Sequence, residues 1–286
     1  MPSTSTMENG MTILPMRKTA LSCAMALAPS LFIIALPTAA DATDDWAGYE
    51  RLDKEKVVQA LAGTPPADFH AKNLSNLDLS AIDFKGANLS AAVLNGSRLQ
   101  HANLANCKLT VSFGEGADFS HADLSGAMMF SMQLKRASFE GAKLAGARFI
   151  GDMSHANLRD ADLTGLRASA DMKNQSMGLM RASFVSSDLR RANLTGAELA
   201  RADFSFADLR EAKLVGANLA GAEFASSDLR GADLSGADLR GAKFIDTRFQ
   251  DAILAGARFD GATWRGVQGM EHAADRGALD IPPELR

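Results

Sequence analysis

Large apolar residues recur every five positions along most of the chain. From Phe184 to Trp264 the series has no gap and contains seventeen members. Helices repeat every 3.6 residues and strands every two, so neither element produces this spacing by itself. The aromatic members recur every twenty residues, which indicates that four five-residue steps complete one turn of a coil. These aromatic positions, the predicted structural core, are Phe184, Phe204, Phe224, Phe244 and Trp264.

The residues around each apolar centre are also restricted. Two places before the centre stands Ala in fourteen of the seventeen repeats, and Ser or Thr in the other three. A position that accepts only small side chains is typical of an inward-facing site crowded by neighbouring coils. The residue just before the centre is usually polar, and Gly often lies two places after it, where a corner needs unusual dihedrals. The unit Ala-(Asp/Asn)-Leu-x-Gly therefore predicts a solenoid with an apolar axis.

This unit resembles the motif of the pentapeptide-repeat family. Residues 232–236 read Ala-Asp-Leu-Ser-Gly, and residues 237–241 read Ala-Asp-Leu-Arg-Gly. The likeness extends from about Phe69 to Trp264. The resemblance implies an all-β fold, a right-handed quadrilateral parallel β-helix of about nine or ten coils. It implies little about activity, because members of one fold family differ in role.

The first half of the chain carries the repeat in a less regular form. Gly114 stands where a large apolar centre is expected. Between Phe149 and Phe184 the frame slips by one residue, and residues 165–180 have the mixed polar and apolar composition of a loop. We predict an irregular or loop region at residues 150–183. Two misaligned blocks of repeats joined by drift are the alternative.

The N-terminus has the pattern of a secretory signal. Arg17 and Lys18 precede an apolar stretch at residues 20–36, and small residues follow up to Ala42. A retained membrane anchor is the alternative, because the apolar stretch is only just shorter than the ~20 residues that span a bilayer. The predicted domains are a signal peptide at 1–42, a capping helix and linker at 43–66, the β-helix at 67–264, and a C-terminal cap or tail at 265–286.

Open β-stacks expose unpaired backbone at both ends and usually need caps. We predict a helix at residues 44–61 with Asp44 or Asp45 as its N-cap, and with Trp46 and Tyr49 packed as part of the cap. The segment after Trp264 loses the repeat. It is expected either to cover the other end or to form a homodimer contact, as terminal coils do in some members of the family.

Charge and spacing limit the candidate functions. Some members of the family mimic duplex DNA and bind gyrase, which requires a strongly acidic rod. Here the net charge is -4, and residues 181–265 contain twelve basic and twelve acidic residues, so the rod lacks the field that attracts a DNA-binding protein. A polysaccharide-acting β-helix enzyme needs an acid and a base that converge in a cleft, whereas these charges repeat without converging. DNA mimicry and catalysis therefore remain as alternatives.

We predict an exported, non-enzymatic module that acts as a rigid protein-interaction or scaffold element in the cell envelope. After signal cleavage the protein is expected in the bacterial periplasm or outside the cell, without stable membrane insertion. The expected partner is an unidentified protein or envelope component, and no nucleic acid, cofactor or metal is expected. His101 and His121 lie twenty residues apart, but two imidazoles supply only half of a metal site.

One candidate binding surface is visible in the sequence. Three Asp-Leu-Arg triplets lie twenty residues apart, so their Asp and Arg residues are expected to stack as two outward rows of opposite sign. Residues 238–240 repeat the triplet on another side of the coil. The rows are either a recognition face for a polar partner or glycan, or a self-neutralised solvated surface. We call them the charged stripe: Asp188, Arg190, Asp208, Arg210, Asp228 and Arg230.

Overall fold

The computed structural model describes residues 46, 48–169, 181–271, 277–279 and 281. The predicted signal peptide, the predicted N-caps Asp44 and Asp45, and residues 170–180 of the predicted loop lie outside the described residues. Within the described part of the chain, helices are too short to span a lipid bilayer. The regular elements are β1 (Glu50–Arg51), α1 (Lys54–Leu61), β2 (Lys72–Asn73), β3 (Met128–Gln133), β4 (Arg148–Asp152), β5 (Lys243–Ile245) and β6 (Thr263–Arg265).

Parallel bridges stack the five-residue repeats into a β-helix. Most bridges join residues twenty positions apart, and successive bridges follow every five residues. Each twenty-residue coil therefore contributes one bridge to each of four ladders. In the described residues the first ladder runs from Arg51 to Thr263, the second from Asp78 to Gln268, the third from Asp83 to Ile253, and the fourth from Asp68 to Leu279.

The backbone of one repeat shows why the five-residue unit closes. The amide of Leu209 donates to the carbonyl of Asp228 at 2.8 Å, and that of Glu211 donates to the carbonyl of Arg230 at 3.1 Å. Ala212 donates back to the carbonyl of Leu209 at 3.0 Å and closes a turn. Glu211, at the third position of this turn, has a φ of 60°. A positive φ at that position explains why Gly is frequent two places after the centre.

The polar residue before each centre completes the hydrogen bonding of the repeat. Asp208 Oδ1 accepts from the amide of Arg210 at 3.2 Å. The same bond recurs from Arg190 to Asp188 at 3.1 Å. These amides make no ladder hydrogen bond, and an unpaired backbone donor is costly where water is partly excluded. The preference for Asp and Asn before the centre is therefore a backbone requirement.

The predicted core positions lie inside the coils. Phe184, Phe204, Phe224 and Phe244 are fully buried, and Trp264 is half-buried on the last of them. Successive rings are stacked with centroid distances of 5.0, 5.2, 5.3 and 4.7 Å from Phe184 to Trp264. The Ala residues two places before the centres are buried around them. The predicted apolar axis with one aromatic column is confirmed.

The N-terminal helix is shorter than predicted. It begins at Lys54 instead of near residue 44, and its N-cap is Asp53, whose Oδ1 accepts from the amide of Lys56 at 2.8 Å. Gly48, with a φ of 109°, interrupts the backbone before it. Residues Glu50–Arg51 then form β1, which pairs with β2 in parallel register. Leu52 donates its amide to the carbonyl of Asn73 at 3.0 Å, so this extended segment continues the first ladder.

Trp46 and Tyr49 pack together, but against a side of the coils. Their ring centroids are 5.4 Å apart, and the Trp46 ring lies 4.6 Å from that of Phe113. Phe113 belongs to the first ladder and precedes Gly114, the centre that lacks a side chain. A Cβ at Gly114 would lie 3.0 Å from Leu134 Cδ2. A neighbouring coil therefore fills the core there, while the large side chain packs outside.

The predicted frame slip is a single missing residue between β3 and β4. Phe130 pairs with Ile150, but Met132 pairs with Gly151, so one residue of β3 bulges out. The ladder steps are nineteen residues afterwards, as in Ser138 to Asn157. Residues 150–169 are otherwise regular, because their bridges continue on both sides. The prediction of an irregular region over all of 150–183 is therefore wrong for its first part.

A second irregularity lies at residues 166–168. Ala168 occupies a centre, and Leu166 occupies the small position two places before it, so the two sizes are exchanged. Both residues are buried. Beyond this point the ladders step by 31 residues, as from Arg167 to Glu198, which leaves eleven residues more than one coil requires. The register of the ladders is thus preserved across residues 170–180.

The C-terminal tail returns to the coils. Leu279 pairs with Arg258 and extends the fourth ladder, and its amide donates to the carbonyl of Ala257 at 2.8 Å. Gly256 donates to the carbonyl of Gly277 at 2.8 Å. Part of the backbone that the last coil would otherwise leave unpaired is therefore covered by residues 277–279.

Candidate functional site

The charged stripe lies along the second ladder. Asp188 is bridged to Asp208, and Asp208 is bridged to Asp228, so the carboxylates stand on successive coils. Each Asp immediately precedes a buried Leu, and each Arg immediately follows that Leu. Because successive side chains of an extended segment point to opposite faces, Asp and Arg both face outward. The bridges therefore stack the Asp row and the Arg row on successive coils.

Each Arg of the stripe is bound by the Asp of its own triplet. Arg190 Nε donates to Asp188 Oδ1 at 2.8 Å, and its second contact reaches Oδ2 of the same carboxylate. Arg210 binds Asp208 in the same way at 2.8 and 2.6 Å. A third such pair is formed on the next coil, with distances of 2.9 and 2.7 Å. Two parallel N–H···O bonds fix the guanidinium plane against its carboxylate.

One contact between coils joins two of these pairs, and a further Arg contacts the third. Arg190 Nε lies 3.6 Å from Asp208 Oδ2 on the next coil. Arg248, which is not part of the predicted stripe, lies with Nη1 3.5 Å from Asp228 Oδ2. At Asp208 and Asp228 a guanidinium from another coil therefore lies beside the carboxylate.

The pKa shifts follow this geometry. Partial burial by itself raises the pKa of Asp188, but the hydrogen bonds from the Arg190 side chain and amide outweigh it and hold that pKa below its ordinary value. The pKa of Asp228 is lowered by the same balance. The pKa of the Arg190 guanidinium is raised, chiefly by its hydrogen bond to Asp188. All of these groups are therefore ionised near neutral pH.

Sequence reasoning missed the neighbours that extend the stripe. Arg159 follows its centre on the second ladder one coil before Arg190, across the 31-residue step. Arg191 binds Asp160 through Nε and Nη2 at 2.7 and 2.6 Å across the same step. The twenty-residue spacing could not reveal either neighbour, because residues 170–180 shift the numbering. Only the 31-residue ladder step brings these residues together.

The corner of the coils beside the stripe carries a shallow open depression. Arg190, Arg191, Arg210 and Glu211 line it. Each of the three arginines is already bound to an Asp of the protein, so the depression has no free cationic row. Such a surface suits polar contacts with a partner, not the enclosure of a substrate.

The two predicted histidine neighbours do lie together. His101 and His121 are exposed, and their rings are stacked with centroids 5.2 Å apart and planes 10° apart. A Cβ at Gly141 would lie 2.5 Å from His121 Nδ1, so the second ring covers the next corner. Groups of three or more His, Cys, Asp or Glu suited to a metal ion are absent from the described residues.

The remaining candidate for chemistry is a thiol. Cys107 is buried at a small position two places before a centre, and its Sγ donates to the carbonyl of Phe84 at 3.0 Å. Burial raises the pKa of Cys107 to about 12. A thiol in that environment is not a nucleophile near neutral pH.

Two family models, both described as pentapeptide repeats, match this chain. One matches residues 73–110, 133–167, 179–214 and 202–241, and the other matches residues 224–268. Together the matches cover more than half of the chain. The chain belongs to the pentapeptide-repeat family. Pentapeptide-repeat proteins are generally structural or binding proteins instead of enzymes.

Similar solved structures are pentapeptide-repeat proteins as well. HetL from the cyanobacterium Nostoc sp. strain PCC 7120, described as involved in heterocyst differentiation regulation, is 25% identical. The match covers 76% of this chain and 94% of HetL, with a TM-score of 0.39. QnrB1, described as a plasmid-mediated fluoroquinolone resistance protein, is 20% identical over 68% of this chain and 83% of its own, with a TM-score of 0.34. Curated proteins gave no match.

Proposed function

We propose that this pentapeptide-repeat protein is an exported, non-enzymatic interaction or scaffold module of the cell envelope. The observation that carries the proposal is the charged stripe, whose outward side chains are fixed in register by the second ladder. Three Asp–Arg pairs are held by two N–H···O bonds each. Binding then requires little ordering of these side chains, and preorganisation of this kind favours specific recognition.

A rigid support follows from the finer architecture that we propose for the coils. It is a right-handed quadrilateral β-helix of about nine or ten coils. The four ladders and the five-residue spacing of their bridges support this arrangement. Flat sides of such a rod would present the stripe as a planar surface.

Catalysis fits the stripe poorly. A general acid of a polysaccharide-cleaving enzyme needs a raised pKa, so that it holds a proton near the working pH. The pKa values of Asp188, Asp228 and Asp238 are all lowered. Each carboxylate is occupied by an Arg of its own triplet. These acids are therefore structural acceptors and poor proton donors.

DNA mimicry fits the charge distribution poorly. A DNA mimic needs an uncompensated acidic surface. Along the second ladder every Asp of the stripe has an Arg beside it, and Arg248 adds a further positive charge next to Asp228. A polypeptide or envelope component is thus the partner that we propose, and not a DNA-binding enzyme. A homodimer through a terminal coil stays a proposal of the same kind.

The proposed location rests on the predicted signal peptide at residues 1–42. We expect the mature protein in the periplasm or outside the cell, free of the membrane after cleavage. Fractionation of cells that express the full chain with a C-terminal tag tests this location. A tagged product that stays in the cytoplasm at full length would contradict export.

Charge reversal tests the stripe itself. In the variant R190E/R210E/R230E, the Glu residues would face the Asp row and replace attraction by repulsion on the outer surface. We expect this variant to lose the envelope proteins that the wild-type protein captures from an extract of its own cells. Arg240 provides the control, because it binds Asp238 in an identical triplet on the fourth ladder. Capture that survives in the triple variant, or is lost equally in R240E, would contradict the proposal.

A further inference from the structure

A strip of apolar side chains runs along the border between the first and second ladders. Val185, Ala225 and Ile245 each follow a buried Phe centre of the first ladder, and all three are half-buried. Phe206 turns the corner of the intervening coil and is 63% exposed. Its amide donates to the carbonyl of Ala225 at 2.7 Å, so these residues lie on adjacent coils. We call Val185, Phe206, Ala225 and Ile245 the apolar strip.

Neither the core nor the backbone accounts for a Phe at position 206. The ring lies outside the coils, where burial contributes little. The backbone φ is 60°, a conformation that bulky side chains disfavour. The corresponding corners of the adjacent coils carry Ser186 and Ser226, with φ values of 57° and 55°. Small polar residues therefore occupy this corner on the two adjacent coils, and the ring of Phe206 lies between them.

Paired charges border the strip on both sides. On the first ladder, Arg181 contacts Asp203 at 2.8 Å and Glu223 at 3.1 Å, and Lys243 contacts Glu223 at 3.1 Å. On the second ladder lies the charged stripe, in which every Arg is bound to an Asp. Both borders are therefore close to neutral. An anionic polymer or an anionic lipid surface would find no unpaired row of cations here.

This arrangement has the anatomy of a protein–protein interface. Such interfaces place apolar and aromatic residues at the centre and polar, hydrogen-bonded residues at the rim. A few central residues, often aromatic, carry most of the binding energy, while the surrounding polar contacts exclude water. The apolar strip supplies the centre, and the two paired rows supply the rim.

We propose that the apolar strip is the docking site for a polypeptide segment of low net charge, with an apolar side chain packed against Phe206. This inference rests on the proposed function of the chain as an interaction module. It adds that the binding energy is concentrated at Phe206, whereas the charged stripe forms one rim of the contact.

The experiment uses a defined probe, a random library of displayed 12-residue peptides selected on the wild-type protein. The test variant is F206S, which places at the corner the residue found at positions 186 and 226. The matched control is V111S. Val111 is 50% exposed with a φ of 61°, on the fourth ladder, and Ser131 occupies the corresponding corner of the next coil. Urea unfolding of both variants establishes that they remain folded.

We expect selected peptides to contain apolar residues with little net charge, to bind F206S at least tenfold more weakly than wild type, and to bind V111S unchanged. Peptides that bind F206S equally well would overturn the inference, as would strongly charged peptides or a failure to select any. If the selected peptides bind F206S as well as wild type but no longer bind R190E/R210E/R230E, the proposed function is supported and the docking role of Phe206 is contradicted. If the wild-type protein dimerises with rising concentration and F206S does not, the inference is overturned, because the apolar strip then binds a second copy of this chain.

Discussion

The coils on either side of residues 170–180 share one kind of interior but differ in their outer surfaces. In the earlier coils Phe119 and Phe139 stack at 4.9 Å, and in the later coils Phe184 and Phe204 stack at 5.0 Å. The earlier coils contain the bulge, the empty centre at Gly114 and the exchanged sizes near Leu166. The regular Asp–Arg rows and the apolar strip occur in the later coils.

The difference teaches that core and surface obey separate constraints in this fold. The interior requires a filled volume, so one irregular residue is tolerated when a neighbouring coil compensates for it. The outer Asp positions are fixed by the backbone amides from which they accept, whereas core packing selects neither the Arg residues of the charged stripe nor Phe206. We propose that binding accounts for those residues in the later coils.

Removing one ring from each aromatic stack tests whether the two interiors are equivalent. Phe204→Ala and Phe139→Ala each remove a fully buried ring that contacts another ring. We expect each variant to lower the free energy of unfolding by about 3–5 kcal/mol. Urea denaturation followed by circular dichroism measures both. A loss below about 1 kcal/mol in Phe139→Ala alone would show that the earlier coils are loosely packed.

Exchanging the small and large side chains at positions 166 and 168 tests whether Leu166 fills the space that the small centre Ala168 leaves. Leu166→Ala leaves two small residues and a cavity, so we expect the free energy of unfolding to fall by about 2–5 kcal/mol. Ala168→Leu places two large residues together and should lose about 1–3 kcal/mol through overpacking. The double variant restores the ordinary pattern and should recover most of the stability. Additive losses in the double variant would mean that these two residues do not share one space.

The bulge makes one glycine of the earlier coils less replaceable than the others. A Cβ at Gly151 would lie 2.3 Å from the carbonyl oxygen of Met132, so the backbone must shift. A Cβ at Gly146 meets nothing within 4 Å, and only its φ of 64° opposes Ala. We expect Gly151→Ala to lower the free energy of unfolding by about 2–3 kcal/mol and Gly146→Ala to lower it by about 1 kcal/mol. Equal thermal midpoints would contradict this account of the bulge.

A fall in pH should destabilise the coils on both sides of residues 170–180, through different carboxylates on each side. Hydrogen bonds from Ser80 and Arg98 lower the pKa of Asp78 to about 2, and Arg190 and Arg230 lower the pKa values of Asp188 and Asp228. A carboxylate with a lowered folded-state pKa stabilises the fold above its unfolded pKa of about 4, and this contribution disappears as the pH falls through the folded value. The free energy of unfolding should therefore decline from about pH 4 towards pH 2. Asp78→Asn and Asp228→Asn should each flatten the decline, and an unchanged profile in both would contradict it.

Much of the fold could be predicted from the sequence, because the five-residue spacing is local and strict. The buried column from Phe184 to Phe244 follows from counting, and so does the stacking of Asp188 on Asp208. The N-terminal cap was less predictable, since Trp46 and Tyr49 have helical spacing, yet Trp46 packs on Phe113 and Tyr49 packs on Trp46. Whether such a segment becomes helix or strand depends on the ladder beside it, which the local sequence does not contain.

The sequence by itself determined the repeat, the direction of each side chain and the pairing of charges within a triplet, because those depend on neighbours a few residues away. Only the tertiary structure decided the ladder steps of 19 and 31 residues, and with them the contact between Asp160 and Arg191. It also decided which outward residues lie side by side, so the apolar strip became visible only in three dimensions. A surface is assembled from separate coils, and its register depends on every residue gained or lost between them.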